Sequence, residues 1–568
     1  MKSKIISTMF ILGLFVGAAV MSAVAQTPQI IVGEPVEHTV QPEGRGYIPP
    51  MVDMSHLTGT KMPPPVSAAA PPAQWDWRAE GKVTPVKNQG ACGSCYAFAS
   101  IANIESKMLI DGGATFDFSE NNAKECNWYD RSCGGGNFID VANYLAKQGT
   151  ALEACDAYVA ANVACNTSCL YQKTLLDWRI ISGSAVPSTA VLKQYIYDNG
   201  PVYTTVYTGD ANDAAWESEY NSYNGTYTLY YNGTWPINHA VLIVGWDDAL
   251  VHDGGTGAWI VKNSWGTGWG GTCGYGVEGG YFTIAYGSAN IGMYSSYMQD
   301  WMDYDPNGQL MFHDEGGWTG YVGYGNVTAW GLCKFVPTQT RYLTRVEFWT
   351  NDATTDVDVY VYDDFNGTTV SNLLASQLDN VFAEAGYHSV ALDAAPEIAD
   401  GNAVYVVVKF TNAGYIYPLV LDTQGPNLTQ TTYMSSNGGS GTWIDVGVNY
   451  AYDLGIRARF SPTFSLSVDD GDGSLPEDIR LWQNYPNPFN PGTIISYSIP
   501  SRSHVEIAVF NLLGQRVKTL VSESKAAGSH TVAWDGTDEA GREVASGVYL
   551  YRLIAGENVK SEKMLLLK

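Results

Sequence analysis

The stretch from Gln89 to Ser100 reads Gln-Gly-Ala-Cys-Gly-Ser-Cys-Tyr-Ala-Phe-Ala-Ser, with two cysteines placed where a loop becomes a helix. Gly90 and Gly93 permit a tight turn. The run from Tyr96 to Ile110 then carries Ala97, Ile101, Ile104 and Met108 at helical spacing, and Gly112-Gly113 ends it. Cys95 therefore falls at a helix N-terminus, where free N–H groups and the positive end of the dipole favour a thiolate. That is a nucleophile's position. Such a thiol needs a base, a group that orients the base, and donors for an oxyanion. Asn238-His239-Ala240-Val241 stands just before an apolar strand, and Asn263-Ser264-Trp265-Gly266 just after another. Taken singly, each residue has an ordinary structural role open to it: a disulfide for Cys95, a satisfied core position for His239, a turn for Asn263, a surface amide for Gln89.

The elements that must position these groups are partly legible. Ser119 is placed to N-cap a second helix, and a third runs from Phe138 to Lys147 after Cys133-Gly-Gly-Gly. An irregular stretch holding Cys155, Cys165 and Cys169 follows. From Pro201 the pattern changes to strands, at Val202–Tyr207, Ala240–Gly245, Ala258–Lys262 and Gly280–Ile284. A helical half followed by a β half is an α+β arrangement with a cleft between the two.

Length and charge bound the rest. A chain of 568 residues implies three or four domains. The balance of 31 basic against 57 acidic residues, with no basic stripe, makes nucleic acid and anionic membranes poor partners. Lys2 and Lys4 precede an apolar run from Ile5 to Val24 with Ala23-Val24-Ala25 behind it, so residues 1–25 read as a secretory signal peptide, a retained anchor being the alternative. No other stretch qualifies as a membrane span. Export permits disulfides, and setting Cys95 aside leaves eight cysteines, an even number.

Residues 26–72 are Pro-rich and aperiodic, an extended segment that is either removed on activation or kept as an arm. The catalytic domain is placed at 73–296. Residues 297–462, rich in Tyr, Val and Thr with Gly and Asn turns, read as a β-sandwich. Residues 463–478 form an acidic linker; Asp469–Pro476 lacks the bidentate Glu that a Ca²⁺ loop needs. Residues 479–568 form a small all-β module in which Val505, Ile507 and Val509 alternate and Gly514 marks a hairpin.

Cys92-Gly-Ser-Cys95-Tyr96, the Asn238-His239 pair and Asn263-Ser264-Trp265 resemble the motifs of papain-like cysteine proteases, over roughly Trp75 to Tyr294. His239 lies 144 residues after Cys95 and Asn263 lies 168 after it. The family's usual interval is about 130–150, and an enlarged loop at 247–257 accounts for the surplus. The resemblance implies a two-lobed fold in which Cys95 attacks the scissile carbonyl and His239 protonates the leaving amine. Asn263 would orient the imidazole under Trp265, and Gln89 with the Cys95 N–H would form the oxyanion hole. It further implies substrate contacts at Gly135 and Gly136, with Asn137, Phe138, Thr205 and Ala240 bordering a side-chain pocket. A Cys92–Cys133 bridge is implied, and Cys126 pairs with Cys165 or Cys169. Partners for Cys155, Cys273 and Cys333 are open. Neither metal nor cofactor is called for. The short Pro-rich segment departs from the family's larger helical prodomain, so the means of latency is also open.

The sandwich resembles the lectin-like module that follows this catalytic domain in some bacterial proteases, which implies glycan contacts. Trp318, Trp330 and Trp349 are candidates for stacking on sugars. Trp482-Gln-Asn-Tyr-Pro-Asn-Pro-Phe-Asn-Pro, with Gly541, Gly547 and the terminal Lys563–Lys568, resembles C-terminal sorting domains of type IX secretion, related to the flagellar hook-capping Ig-like module. The expectation is a secreted or surface thiol endopeptidase of a Gram-negative bacterium, acting on proteins or peptides. The alternatives are an exopeptidase of the same family, its cleft blocked by the pro-segment or the 247–257 loop, and a glycan-binding adhesin with an incidental protease domain.

Overall fold

The computed structural model describes residues 27–34, 44–62, 70–438, 443–463 and most of 479–566. The signal peptide at 1–25, the acidic stretch Asp469–Pro476 and most of Trp482–Pro491 lie outside the described residues. The chain divides into two units, residues 1–464 and 465–568.

In the first unit the central helix α1, Cys95–Ile110, is buried on nearly every face. Ala97, Ile101, Ile104 and Met108 pack into the core as their spacing requires, but Phe98, Ala102 and Glu105 on the opposite face are buried as well. The helix is enclosed because α2 (Glu120–Glu125) and α3 (Phe138–Lys147) lie against one side and the strand His239–His252 against another. Ser119 accepts the Asn122 N–H at 2.9 Å as the cap of α2, and Asn137 caps α3 in a reciprocal box with Asp140. Two further helices, α4 (Thr189–Asn199) and α5 (Ala214–Asn221), flank the β half.

The β half is an antiparallel ladder ordered Tyr281–Ala285, Gly255–Lys262, His239–His252, Val202–Val206, Ser296–Asp303, Lys173–Ile180. It sets His239 opposite Val206 and Ala240 opposite Thr205. The surplus between His239 and Asn263 is a prolongation of a hairpin, with Asp247 opposite Ala258 and His252 opposite Gly255, rather than a loose loop.

The same sheet continues beyond the catalytic half. Lys173–Ile180 pairs with Ala385–Ala391, followed by Arg341–Thr350, Ile456–Ser461 and Gln309–Met311, which form one layer of the sandwich. The facing layer runs Val370–Phe382, Thr355–Phe365, Val404–Asn412, Thr328–Phe335, Thr432–Ser435, Ile444–Asp445. Val357, Val359, Val361, Val406, Val408 and Phe348 fill the space between layers. A third sheet is edged by Gln29–Val32, which pairs with Gly320–Gly323. No helix of the described residues is long and apolar enough to cross a membrane.

The second unit, described by itself, packs a three-stranded against a four-stranded sheet around Trp534, Tyr551 and Leu566. Val505, Ile507 and Val509 point inward, and Gly514 turns at φ 75° between Ser503–Phe510 and Arg516–Lys525.

Three disulfides form: Cys92–Cys133, Cys126–Cys165 and Cys155–Cys169. Parity suggested that all eight remaining cysteines pair, which is incorrect. Cys273 and Cys333 stay free, Cys273 beside Tyr223 in the catalytic half and Cys333 inside the sandwich.

Where sandwich meets catalytic half, Arg457 is fully buried and grips Asp314, Nε to Oδ1 at 2.8 Å and Nη2 to Oδ2 at 2.7 Å. Its Nη2 also donates to Asn143 Oδ1 of α3 at 2.7 Å, and Trp349 Nε1 donates to Asp314. Removing one partner of such a pair strands a buried charge, at about 3–5 kcal/mol. Arg457→Ala is therefore expected to lower stability by about that much in urea denaturation, and Arg457→Met with Asp314→Leu to recover most of it.

Candidate active site

The Cys95 Sγ is completely buried at the start of α1. It accepts the backbone N–H of Ala240 at 3.4 Å, so the residue next to His239 in sequence touches the sulfur. The loop before it is rigid. Cys92 is bridged to Cys133, and the Ser94 hydroxyl pairs with Tyr158 Oη at 2.7 Å instead of capping the helix. Tyr158 in turn donates to the Gln89 carbonyl at 2.8 Å.

His239 Nε2 is bonded to Asn263 Oδ1 at 2.8 Å. An amide oxygen only accepts, so Nε2 carries the proton and a neutral ring keeps its lone pair on Nδ1. That nitrogen is buried and bonds to no described residue. The Trp265 indole lies 5.1 Å from the imidazole, ring centre to ring centre. Gln89 is clamped on both sides of its amide: its N–H reaches Ser264 O at 2.8 Å, Oε1 accepts from Ser264 Oγ at 2.5 Å, and Nε2 donates to Cys92 O at 2.8 Å. Among the described residues this leaves one Nε2 hydrogen without an acceptor, close to the helix start.

The segment 44–62, part of the stretch read as a pro-segment or an arm, lies over this constellation. Trp265 Nε1 donates to Gly44 O at 3.1 Å, Gly136 N to Gly46 O at 2.8 Å, and Ile48 N to Gly136 O at 3.0 Å. These bonds run Tyr47 parallel to Gly136. The fit is backbone on backbone, since a Cβ on Gly46 would stand 1.8 Å from Gly93 O. Tyr47 packs beside Met54, Asn137, Phe138, Tyr203 and Tyr294, and together they line a small cavity. Beyond it, Val52, Met54 and Leu57 are buried, and His56 stacks on Tyr415 of the sandwich at 3.8 Å.

Covered in this way, the thiol and imidazole are both neutral. Burial pushes the Cys95 thiol up to about 11, with the N–H groups of Ala240, Gly46 and Tyr96 opposing. Burial also brings His239 down to about 3; the Asn263 bond opposes this, and the positive Arg45 adds to it.

The other expected residues divide. Gly135 and Gly136 meet the segment directly, and Phe138 lines the cavity while also packing on Trp178 at 5.6 Å. Asn137 borders the cavity, but its side chain is committed to capping α3. Thr205 does not line it: its hydroxyl donates to Met293 O at 2.9 Å, and Tyr203, two residues earlier on the same strand face, fills the place. Trp318 and Trp349 are interior, so of the three candidate sugar platforms only Trp330 retains exposure. Tyr203 and Tyr294 escaped notice because nothing local separates a pocket tyrosine from a strand tyrosine.

Three family profiles match this chain: papain family cysteine protease over residues 71–299, lectin like domain over 311–458 and FlgD Ig-like domain over 490–558. The architecture is accordingly a papain-like catalytic domain followed by a β-rich lectin-like domain and an Ig-like domain. Among solved structures, the cysteine protease and lectin-like domains of Cwp84, a surface layer associated protein of Clostridium difficile, share its fold with a TM-score of 0.59 at 18% identity, over 76% of this chain and 98% of that one. Cysteine proteinase 1 of Entamoeba histolytica is 36% identical over 207 residues, 35% of this chain and 61% of that protein, so the chain spans about three-fifths of that relative's length. A cathepsin L-like proteinase of Fasciola hepatica is 32% identical over 250 residues, 43% of this chain and 70% of the relative. The chain belongs to the papain family of cysteine proteases.

Proposed function

We propose that the chain is the precursor of a secreted thiol endopeptidase whose residues 44–62 keep it latent. Once the segment leaves, water reaches the pair and a proton passes from Cys95 to His239 Nδ1. The thiolate attacks the scissile carbonyl carbon, and the electron pair of the C=O bond moves to oxygen. Gln89 Nε2 and the Cys95 N–H hold that oxyanion. The imidazolium gives its proton to the leaving nitrogen as the C–N bond breaks, which leaves a thioester. Water, deprotonated by His239, attacks the thioester; the acid departs and the thiol is restored. Asn263 keeps the ring in register, and Trp265 shields that hydrogen bond.

The observation that carries the reading is the pairing of Nε2 with Asn263, which leaves Nδ1 unbonded beside the residue that contacts the sulfur. Endopeptidase action is supported by the segment itself. It passes across the thiol with chain on both sides, and a groove closed at one end would not admit such a strand.

The finer assignments rest on sequence. The apolar run before Gln26 supports export, and the Tyr485–Phe489 motif with the Ig-like match supports a type IX sorting role in a Gram-negative host. The fold shared with a surface layer associated protein accords with a place outside the cell. Glycan contact through the lectin-like domain is supported by the family match and by Trp330, which is half-buried and stacks on Tyr360 at 5.8 Å.

In the precursor the thiol ionises only near pH 11, so iodoacetamide at pH 7 is expected to label Cys95 at least about 100-fold more slowly than in protein freed of the segment. Gly46→Val, which cannot seat against Gly93, is expected to bring labelling of the precursor close to the freed rate. Equal rates in wild-type precursor and freed protein refute the latency. In freed protein, Cys95→Ala is expected to abolish casein hydrolysis, and residual hydrolysis refutes the nucleophile. Gln89→Ala is expected to lower kcat by about 10²–10³ while Cys95 remains alkylatable.

A further inference from the structure

The segment over the cleft reveals a second pocket, on the far side of the sulfur from Tyr47. Arg45 is buried there, with four polar contacts. Its Nε donates to Thr208 Oγ1 at 2.6 Å, Nη1 to Glu217 Oε1 at 2.9 Å, and Nη2 to Asn221 Oδ1 at 2.9 Å and to Thr208 O at 3.1 Å. The guanidinium carbon stands 5.7 Å from the centre of the Trp265 ring. The lining is held in place before anything binds. Asn238 Oδ1 accepts both the N–H and the hydroxyl of Thr208 at 3.0 Å, and its Nδ2 donates to Gly209 O at 2.8 Å. Thr208 and Asn238 are themselves buried, and Glu217 projects from α5 with a quarter of its side chain exposed. One carboxylate, three neutral oxygens and an aromatic wall are the complement of a guanidinium.

The position of the pocket decides what else enters it. The leaving nitrogen takes its proton from His239, so the departing fragment lies toward His239 and Trp265. Asn238 precedes His239, Thr208 is bonded to Asn238, and Trp265 covers the imidazole. The cavity of Phe138 and Tyr203 lies on the opposite side, next to Gly136. We propose that the Thr208–Glu217–Asn221 pocket is a specificity subsite that selects a basic side chain, arginine above lysine, on the residue immediately after the cleaved bond. Arg45 holds that subsite in the precursor. This deepens the thiol-protease reading and rests on it. Emptied of Arg45, the pocket leaves Glu217 and the Thr208 carbonyl without their donors, and a substrate arginine restores all four contacts. An aspartate or glutamate there meets Glu217 and is rejected.

The test uses the full chain cut by limited proteolysis downstream of Lys61 and then separated from the severed segment by dilution and gel filtration, with active enzyme counted by stoichiometric alkylation of Cys95 in a parallel sample. Quenched-fluorescence peptides differ only in the residue after the cleaved bond (Arg, Lys, Ala or Glu), and mass spectrometry fixes the bond cut. For wild type, kcat/KM is expected to be about tenfold or more higher for Arg than for Ala, intermediate for Lys and lowest for Glu. Glu217→Gln is expected to cut the Arg-to-Ala ratio to about two, Asn221→Ala to lower it by a smaller factor, and Glu217→Arg to place Glu above Arg. An Arg-to-Ala ratio near one in wild type, with both peptides cleaved, overturns the subsite and leaves the protease standing. A ratio unchanged by Glu217→Gln also overturns it. Cleavage of no peptide by enzyme with alkylatable Cys95 overturns the protease reading and the subsite together.

Discussion

The main chain of Gly46 lies against the main chain of Gly93, and this contact governs the state of everything beneath it. Neither side has a side chain that could yield, so the segment is either seated or absent. Seated, it seals the Cys95 sulfur and the His239 ring from water and adds the charge of Arg45 beside the imidazole. Two opposing effects then act on the sulfur. A helix start and backbone N–H groups draw the thiol toward ionisation, while burial opposes it, and burial prevails. The geometry suited to a nucleophile and the chemistry of a latent enzyme thus coexist in one arrangement, and hydration separates them.

That arrangement is mounted on a sheet shared by two domains. The ladder that holds His239 runs through Lys173–Ile180 into the sandwich, and Arg457, Asp314 and Asn143 lock the junction from inside. Asp177, bonded to Arg179 and His388, ties the same strands together a few residues away. The lectin-like domain is therefore part of the scaffold that presents the cleft. The segment over the thiol touches both domains: Tyr47 sits among residues of the catalytic half, and His56 stacks on Tyr415 of the sandwich.

Much of the catalytic half was legible because its signals are local. The α1 spacing, the Ser119 cap, the Phe138–Lys147 run and the Cys92–Cys133 pairing each depend on neighbours in sequence or on a motif. How the 44–62 segment seats was not legible. Its Val52, Met54 and Leu57 follow no helical or strand period, and they are buried only because two domains supply the surrounding surface. Arg45 carried no signal in the sequence for the same reason. Cysteine parity misled because a thiol such as Cys333 is as content in an apolar core as in a bridge. Thr205 was displaced by Tyr203 because strand alternation puts both on one face without saying which is longer in reach.

The antiparallel pairing of Gln29–Val32 with Gly320–Gly323 bears on how the enzyme is switched on. Cutting the chain after Lys61 removes a covalent tether but none of the edge-strand hydrogen bonds, the His56–Tyr415 stack or the Arg45 anchorage. The severed peptide persists as a bound ligand whose effective concentration falls from about millimolar to its bulk value. In the precursor proposed above, proteolysis and release are then separate events, and onset of activity would depend on dilution and on whatever competes for the vacated sandwich edge.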